Sequence, residues 1–216
     1  MDNKIQINKY SVELIDDKNY EDLVRKCEKA ARLCYQTKMA KTLEGAEKFL
    51  AKLIKINHGS IIEHESLSFH ITTNIATTRE LNRHRHNSPN ELSTRYVDMS
   101  NLPIVLNDSY TNEEIEILMP AFEACQKAYL KFPKKDRDKA RIVLPLGTQT
   151  KEMVTMNIRQ LREVLFQRLS PEAHRDIRDI AYAILDIVYD KYPVFVKDIY
   201  EKFNELRPKT GDNKNE

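Results

Sequence analysis

The spacing of apolar side chains predicts a chain dominated by helices. Several segments repeat apolar residues every three or four positions, the period of a helix with one buried face. Their ends carry capping residues, proline or glycine. The predicted helices cover 20–34, a segment capped by Thr42 and stopped at Gly59, a capping-box helix from Thr111 to Lys131 ended by Pro133, a helix from Asn157, and a last helix opened by Ser170 and Pro171.

Strand patterns are fewer and shorter. Residues 66–75 alternate strictly between apolar and polar side chains, which indicates a half-buried strand. Residues 4–15 alternate loosely and 150–156 also favour a strand. Between them, Thr77 or Thr78 is expected to cap a short helix over 79–86, and a loop follows it.

These patterns together predict the fold class α+β. We expect a small antiparallel or mixed sheet packed with several long helices, in a single domain over residues 1–207 with a polar tail at 208–216. The helix from Asn157 would bury Leu161, Val164, Leu165 and Phe166. Residues 141–146 are expected to form a helix end or a turn.

Composition narrows the class of protein. The chain has 216 residues and a formal net charge of +2, less basic than is usual for a dedicated nucleic-acid binder. Three cysteines without paired spacing favour a reducing compartment. A polar N-terminus and the lack of a long apolar run predict a cytoplasmic protein that does not enter membranes.

The clearest chemical signal is an arginine-rich segment, residues 83–96. It carries Arg83, Arg85 and Arg95, with acceptors and hydroxyl groups between them. Guanidinium groups bind phosphate and carboxylate through paired planar donors. A charged run is more often only a solvated face, but this mixture favours a site for an anion such as a nucleotide.

Further arginines stand on later segments. Arg141, Arg159 and Arg168 each lie beside apolar residues. A single arginine in that setting usually lies along the surface with its head in water. Together with the arginine-rich segment, they make a shared anion site plausible.

Metal binding is not expected. The histidines between positions 58 and 86 include the pair His84 and His86, but Arg83 and Arg85 flank that pair and would repel a cation. The spacing also matches no common ligand set.

Nucleophilic and phosphate-loop chemistry also lack support. Ser88 and Ser93 are not in a Gly-x-Ser-x-Gly turn, and Cys125 lies between core positions of a predicted helix. The chain has four glycines and none are grouped, so no glycine-rich phosphate loop is present.

The arginine-rich segment closely resembles the signature of the flavin-dependent thymidylate synthases. Arg83-His84-Arg85 is followed by Ser88 and then by Asn90-Glu91-x-Ser93-x-Arg95-Tyr96. The resemblance covers nearly the whole chain. Other segments similar to family motifs are His58-Gly-Ser60-x-x-Glu63-His64, Ala140-Arg141-x-x-Leu144-Pro145, Asn157-x-Arg159 with Arg168, and Ala173-His174-x-x-Ile177-Arg178.

This resemblance implies a fold, a reaction and an assembly. The family fold is a homotetramer of α+β subunits that bind FAD and dUMP in sites shared between subunits. The implied reaction converts dUMP to dTMP, with 5,10-methylenetetrahydrofolate as one-carbon donor and NADPH as the reductant of the flavin. No enzyme nucleophile takes part, which agrees with the lack of one here.

The resemblance also implies roles for individual residues. The flavin would be bound by Ser60, Glu63, Arg83, His84, Arg85, Asn90, Glu91, Asn157, Arg159 and Glu163. The nucleotide would be bound by Glu80, Arg83, Glu91, Leu92, Ser93, Thr94, Arg95, Arg141 and Arg168. Arg168 is the expected catalytic residue, because a fixed cation over the uracil edge stabilises the ionised base.

Several positions depart from the family pattern. They are Glu80 for glutamine, Asn82 for an aromatic or apolar residue, Thr94 for a frequent glycine, Glu163 for asparagine or histidine, and His174 for glutamine. Glu80 and Glu163 add carboxylates beside anionic ligands, so they weaken binding unless they are protonated or paired. Arg79 or Arg162 is the expected partner.

Two other functions stay open. A catalytically impaired homologue that still binds flavin or nucleotide would explain Glu80 and Glu163. An RNA-binding module would use the arginine-rich segment, but only Tyr96 there could stack on a base, and the chain is nearly neutral.

Overall fold

An antiparallel sheet organises the computed structural model, which describes residues 5–16 and 18–208. Its strand order is β2-β3-β6-β4, and a separate parallel pair is formed by β1 and β5. The strands are β1 (Ile7–Asn8), β2 (Ser11–Leu14), β3 (Ser66–Asn74), β4 (Asn87–Glu91), β5 (Ile104–Val105) and β6 (Gln149–Asn157). β4 therefore lies at one edge of the sheet, beside β6.

Helices make up most of the remaining structure, so the predicted α+β class is confirmed. They are α1 (Tyr20–Tyr35), α2 (Leu43–Lys55), α3 (Ile75–Leu81), α4 (Asn112–Leu130), α5 (Arg137–Ala140), α6 (Ile158–Arg168), α7 (Arg175–Lys191) and α8 (Lys197–Phe203). The predicted caps Thr42 and Thr111 each accept a hydrogen bond from the first helical turn. Asn157, where a helix was expected to begin, caps α6 in the same way. At Thr111 the full capping box with Glu114 is formed.

The main core lies on one face of the sheet. Leu67, Phe69 and Ile71 of β3 are fully buried with Val154 and Met156 of β6, and α1, α2, α6 and α7 supply the other apolar residues of this cluster. Burial of each large apolar side chain is worth roughly 1.5–3 kcal/mol. A smaller cluster joins α4 to the β1–β5 pair through Phe122 and Ile104.

The N-terminal segment differs from the prediction of one strand over 4–15. It forms two short strands in different sheets, because Ile7 pairs with Ile104 in a parallel bridge whereas Val12 pairs with Ile71 in the antiparallel sheet. Loose alternation could not reveal that change of partner. α2 also ends earlier than expected, and the left-handed backbone just after it belongs to Asn57 (φ 60°), not to Gly59.

The predicted caps of the short helix are wrong. Asn74, the last residue of β3, caps α3: its Oδ1 accepts hydrogen bonds from Thr77 N at 2.9 Å and from Thr77 Oγ1 at 2.8 Å. Thr77 and Thr78 therefore lie inside the helix and are buried. α3 ends at Leu81, so the expected helix up to residue 86 is also too long.

The expected loop after residue 86 contains a strand, β4. Pro89 indicated a loop because it has no N–H to donate, yet it lies opposite Val154 within the strand. An edge strand tolerates proline when its nitrogen faces away from the neighbouring strand. Residues 141–143 form a 3-10 turn, as predicted.

Two predictions about the C-terminal half are wrong. The last long helix begins at Arg175 with His174 as its cap, whereas Ser170 accepts a turn hydrogen bond from Ala173 N at 3.0 Å. The Ser-Pro pair suits a tight turn as well as a helix start. Phe166 is not in the core but 36% exposed, with its ring edge-on to Phe203.

Of the predicted polar tail, only residue 208 is described. Just before it, Arg207 forms a two-bond ion pair with Asp186. Residues 209–216 lie outside the described residues, and a single domain over 1–207 stays a prediction. Within 5–16 and 18–208, every helix is too short or too polar to cross a membrane.

Candidate active site

The strand β4 carries the middle of the arginine-rich segment and has a cavity at each end. Residues 82–86 turn the chain from α3 into β4, and residues after Glu91 turn away from it. β4 holds five hydrogen-bonded or facing pairs with β6, from Asn87 opposite Met156 to Glu91 opposite Glu152. Regular pairing with β6 therefore fixes the positions at which the chain enters and leaves β4.

The first cavity, of about 570 Å³, lies at the end of β4 and is called the β4 cavity below. Its wall contains the predicted nucleotide residues Glu91, Leu92, Ser93, Thr94 and Arg141. Arg79 and the apolar residues Ile75, Ile142, Leu144 and Leu146 complete it. Two guanidinium groups and two hydroxyl groups beside an apolar wall suit a phosphorylated ligand with a flat ring.

Glu91 is fixed at the edge of this cavity. Its Oε1 accepts hydrogen bonds from the hydroxyl groups of Thr78, at 3.0 Å, and Thr150, at 2.9 Å. Thr78 comes from α3 and Thr150 from β6, so two elements hold one carboxylate oxygen. The Glu91 side chain is thus positioned before any ligand arrives.

The second cavity, of about 590 Å³, lies at the other end of β4 and is called the α6 cavity below. The predicted flavin residues Glu63, Asn157, Arg159 and Glu163 line it together with His86 and Gln160. Asn157 Oδ1 accepts from Gln160 N at 2.8 Å, so its side chain caps α6.

Arg159 crosses the chain at Gly59 and forms an ion pair with Glu63. A Cβ atom at position 59 would lie 3.0 Å from Arg159 Nε. Glycine at position 59 therefore leaves room for this arginine to reach the cavity wall.

Arg168, the predicted catalytic residue, lies in a cluster with His84 and Glu80. Its Nε donates to His84 Nε2 at 2.8 Å, its Nη2 donates to the Glu80 carbonyl at 3.1 Å, and its Nη1 lies 3.4 Å from Glu80 Oε2. Burial and the Arg168 charge lower the pKa of His84, while Glu163 opposes them. His84 is thus a neutral acceptor that orients the guanidinium group.

The expected partners of the added carboxylates are not the ones found. Glu80 pairs with Arg168. Arg162, the expected alternative, donates both of its terminal nitrogens to Asp198, and Glu163 accepts from Gln167. Arg79 lines the β4 cavity instead.

Other predicted residues are exposed and line neither cavity. They are Ser60, Arg83, Arg85, Asn90 and Arg95. Arg95 lies over the ring of Tyr96, with 5.4 Å from Cζ to the ring centroid. Within one subunit these side chains do not converge on a shared cavity.

Sequence reasoning missed several residues of the two cavities. His86 was considered only as a metal ligand, Arg79 only as a partner for Glu80 or Glu163, and Gln160 carried no signal beyond polarity. Thr78 and Thr150 could not be recognised as site residues from the sequence, because only the fold brings their hydroxyl groups to Glu91. Among the described residues no three His, Cys, Asp or Glu side chains group closely enough to hold a metal ion.

Comparison with known proteins identifies the family of this chain. Residues 13–194 match the family model described as thymidylate synthase complementing protein. The flavin-dependent thymidylate synthase of Mycobacterium avium (strain 104) is 34% identical over 192 residues, which cover 78% of this chain and 76% of that protein. The probable flavin-dependent thymidylate synthase of Mycobacterium phage D29 is 31% identical over 204 residues, 85% of this chain and 86% of that protein.

A solved structure has the same fold. The UMP/dUMP methylase PolB from Streptomyces cacaoi, bound with 5-Br dUMP, superposes with a TM-score of 0.78 at 24% identity, over 94% of this chain and 100% of that one. With the matched region and these identities, the chain belongs to the thymidylate synthase complementing protein family and is an enzyme of the flavin-dependent thymidylate synthase class.

Proposed function

We propose that the protein converts dUMP to dTMP, with 5,10-methylenetetrahydrofolate as one-carbon donor and FAD, reduced by NADPH, as the hydride source. The observation that carries this proposal is the β4 cavity, where an anchored Glu91 faces two arginines and two hydroxyl groups. Of those groups, Glu91, Ser93, Thr94 and Arg141 come from segments that resemble the family motifs, whereas Arg79 does not. The solved methylase PolB holds a brominated dUMP on the same fold.

dUMP is assigned to the β4 cavity by the chemistry of its wall. Ser93, Thr94 and Arg141 offer donors for the phosphate, and Arg95 stands one residue beyond them on the surface. The apolar side chains opposite can cover the base. Arg168 lines neither cavity. Its assignment to the uracil edge rests on the family resemblance, and there a guanidinium group fixed by His84 would stabilise negative charge on the base.

FAD is assigned to the α6 cavity and the exposed face beside it. Arg159 and Gln160 supply donors there, Glu63 can accept from ribose hydroxyl groups, and the close approach of Arg159 to Gly59 keeps the cavity open. His86 offers a flat side chain to a ring. When bound, the flavin supplies the hydride of the reaction, and the residues of this chain bind and orient it.

We also propose a homotetramer whose subunits share active sites. The support is geometric: Arg83, Arg85 and Asn90 belong to the motif that resembles the family's flavin site, yet they are exposed and line neither cavity of one subunit. A neighbouring subunit would complete their surroundings. Sedimentation of the protein at several concentrations tests this assembly.

An absorption spectrum of the purified protein, followed by assays of NADPH oxidation and dTMP formation, tests the reaction. FAD-loaded protein should form dTMP only when dUMP and methylenetetrahydrofolate are both present. A protein that cannot be loaded with FAD would contradict the proposal.

A second candidate function is a flavin-binding and nucleotide-binding homologue with impaired catalysis. The observation that favours it is the contact between Arg168 and Glu80, because a carboxylate beside the guanidinium group reduces the positive charge available to the base. A yellow protein that forms no dTMP, but gains activity on Glu80→Gln, would support this second function.

A further inference from the structure

Glu152 is a fully buried carboxyl group next to the proposed nucleotide site. It is 0% exposed and lies in the middle of β6, directly opposite Glu91 of β4. Residues that face each other across two antiparallel strands project from the same side of the sheet, about 5 Å apart. Two glutamates therefore lie side by side, one holding the edge of the β4 cavity and one behind it.

Both oxygens of Glu152 are buried and make no hydrogen bond to any described residue. The same is true of Asn82 Oδ1, and the Asn82 amide is close enough to lower the pKa of Glu152. The Asn82 N–H group can donate to one carboxyl oxygen whether or not Glu152 is ionised, but an ionised Glu152 has no hydrogen to offer Asn82 Oδ1. A proton on Glu152 supplies the donor that Asn82 Oδ1 lacks, after a small rotation of either side chain.

The charged groups around Glu152 do not offset its charge. On β3 the facing residue is Ile71, and on β6 the charged neighbour Lys151 is exposed on the opposite face. From α3, Arg79 is exposed at the β4 cavity and Glu80 pairs with Arg168, the last residue of α6. From β4 comes Glu91, of the same sign.

The electrostatic effects follow from this setting. The pKa of Glu152 is raised to about 7, first because burial disfavours the charged form and then because Glu91 is negative, whereas the Asn82 amide acts in the opposite direction. Near neutral pH, a large fraction of Glu152 is therefore protonated.

We propose that Glu152 is a positioning residue that is protonated in the folded protein at mildly acidic pH, where it donates to Asn82 Oδ1 and leaves Glu91 as the negative charge held between Thr78 and Thr150. No bond other than this O–H···O contact is made or broken. When Glu152 ionises, its proton goes to solvent and two carboxylates face each other across adjacent strands. Repulsion then moves Glu91 off the two threonines and disturbs the edge of the β4 cavity.

This proposal deepens the proposed function, because it assigns the neutral acid to the side of the site that would receive dUMP. Asn82 supports it, because its buried amide oxygen has no hydrogen-bond partner among the described residues and needs the donor that a protonated Glu152 provides. A buried acid and a buried amide are thus matched to each other in this chain.

Infrared spectroscopy tests the protonation without any ligand. The wild-type protein at pH 6 should show a carboxylic acid C=O band that is absent from Glu152→Gln and present in the matched control Glu116→Gln, which alters an exposed glutamate of α4. The band should disappear as the pH rises past about 7. A Glu152→Gln spectrum identical to that of the wild type at pH 6 would overturn the proposal.

Calorimetric titration of dUMP into FAD-loaded protein tests the positioning. The affinity of the wild type should fall by about tenfold between pH 6 and pH 8.5 relative to Glu152→Gln, in which position 152 cannot ionise. An equal pH dependence in the two proteins would contradict the positioning role. Failure of both to bind dUMP at any pH would refute the proposed function and the positioning role, while the infrared band would still decide the protonation.

Discussion

Stability should depend on pH through Glu152. The ordinary pKa of a glutamate, 4.5, applies to the unfolded chain, whereas the pKa is about 7 in the folded protein. Because the folded state binds this proton more tightly, the stabilisation is complete below about pH 4.5 and is lost as the pH rises to about 7. A pKa difference of one corresponds to about 1.4 kcal/mol, so this group should lower the free energy of unfolding by roughly 2–3 kcal/mol between pH 5 and pH 8.

The substitution Glu152→Gln isolates that contribution. The glutamine amide has nearly the same shape, can donate to Asn82 Oδ1 and cannot ionise. Between pH 5 and pH 8 the free energy of unfolding of the wild type should therefore fall, relative to that of Glu152→Gln, by the amount given above. Urea unfolding at one fixed protein concentration, at pH 5, 6, 7 and 8, measures the difference. Glu116→Gln makes the same chemical change on the surface. The reasoning would be refuted if the free energy of unfolding of Glu152→Gln changed with pH in the same way as that of Glu116→Gln. It would also be refuted if the wild type became more stable relative to Glu152→Gln as the pH rises.

Three further predictions concern the arginines. Arg168→Ala should abolish dTMP formation while the flavin absorbance is retained, and unchanged dTMP formation would remove its assigned role. Glu80→Gln removes the carboxylate beside Arg168. Because that pair is partly exposed, the binding free energy of dUMP should improve by only about 1 kcal/mol, which calorimetry would show as roughly fivefold tighter binding. Weaker binding would contradict this prediction. Arg162→Ala should lower the free energy of unfolding by about 2 kcal/mol in urea, because its side chain is buried and pairs with a half-exposed Asp198. The same change at the exposed Lys52 of α2 should cost less than about 0.5 kcal/mol.

Elements with strong local signals could be predicted from the sequence. Thr111 and Glu114 form the predicted capping box, and the alternation over 66–75 corresponds to β3. Elements that depend on distant partners could not. β4 is a strand because β6 lies beside it, and a sequence with Pro89 in the middle gives the opposite indication.

The residues of the candidate site also fall into a group that the sequence could predict and a group that it could not. Motif spacing brought out Glu91, Ser93 and Arg141, and the fold places all three in one cavity. Glu152 was missed because it reads as one polar residue in a strand pattern. Its significance comes from burial and from the neighbour across the strand, and neither property is written in the local sequence.

The position of Pro89 has a consequence for how the molecule meets other copies of itself. The amide of Leu92 donates to Lys151 O at 2.8 Å, so even-numbered residues of β4 direct their N–H groups toward β6 and the nitrogen of Pro89 faces the open edge. The outer edge of β4 therefore lacks a backbone donor at its centre, and a strand from another chain cannot pair with it through a continuous ladder of backbone hydrogen bonds. Another copy of the chain can therefore cover the centre of this edge only with side-chain contacts, which opposes strand exchange and fibre growth.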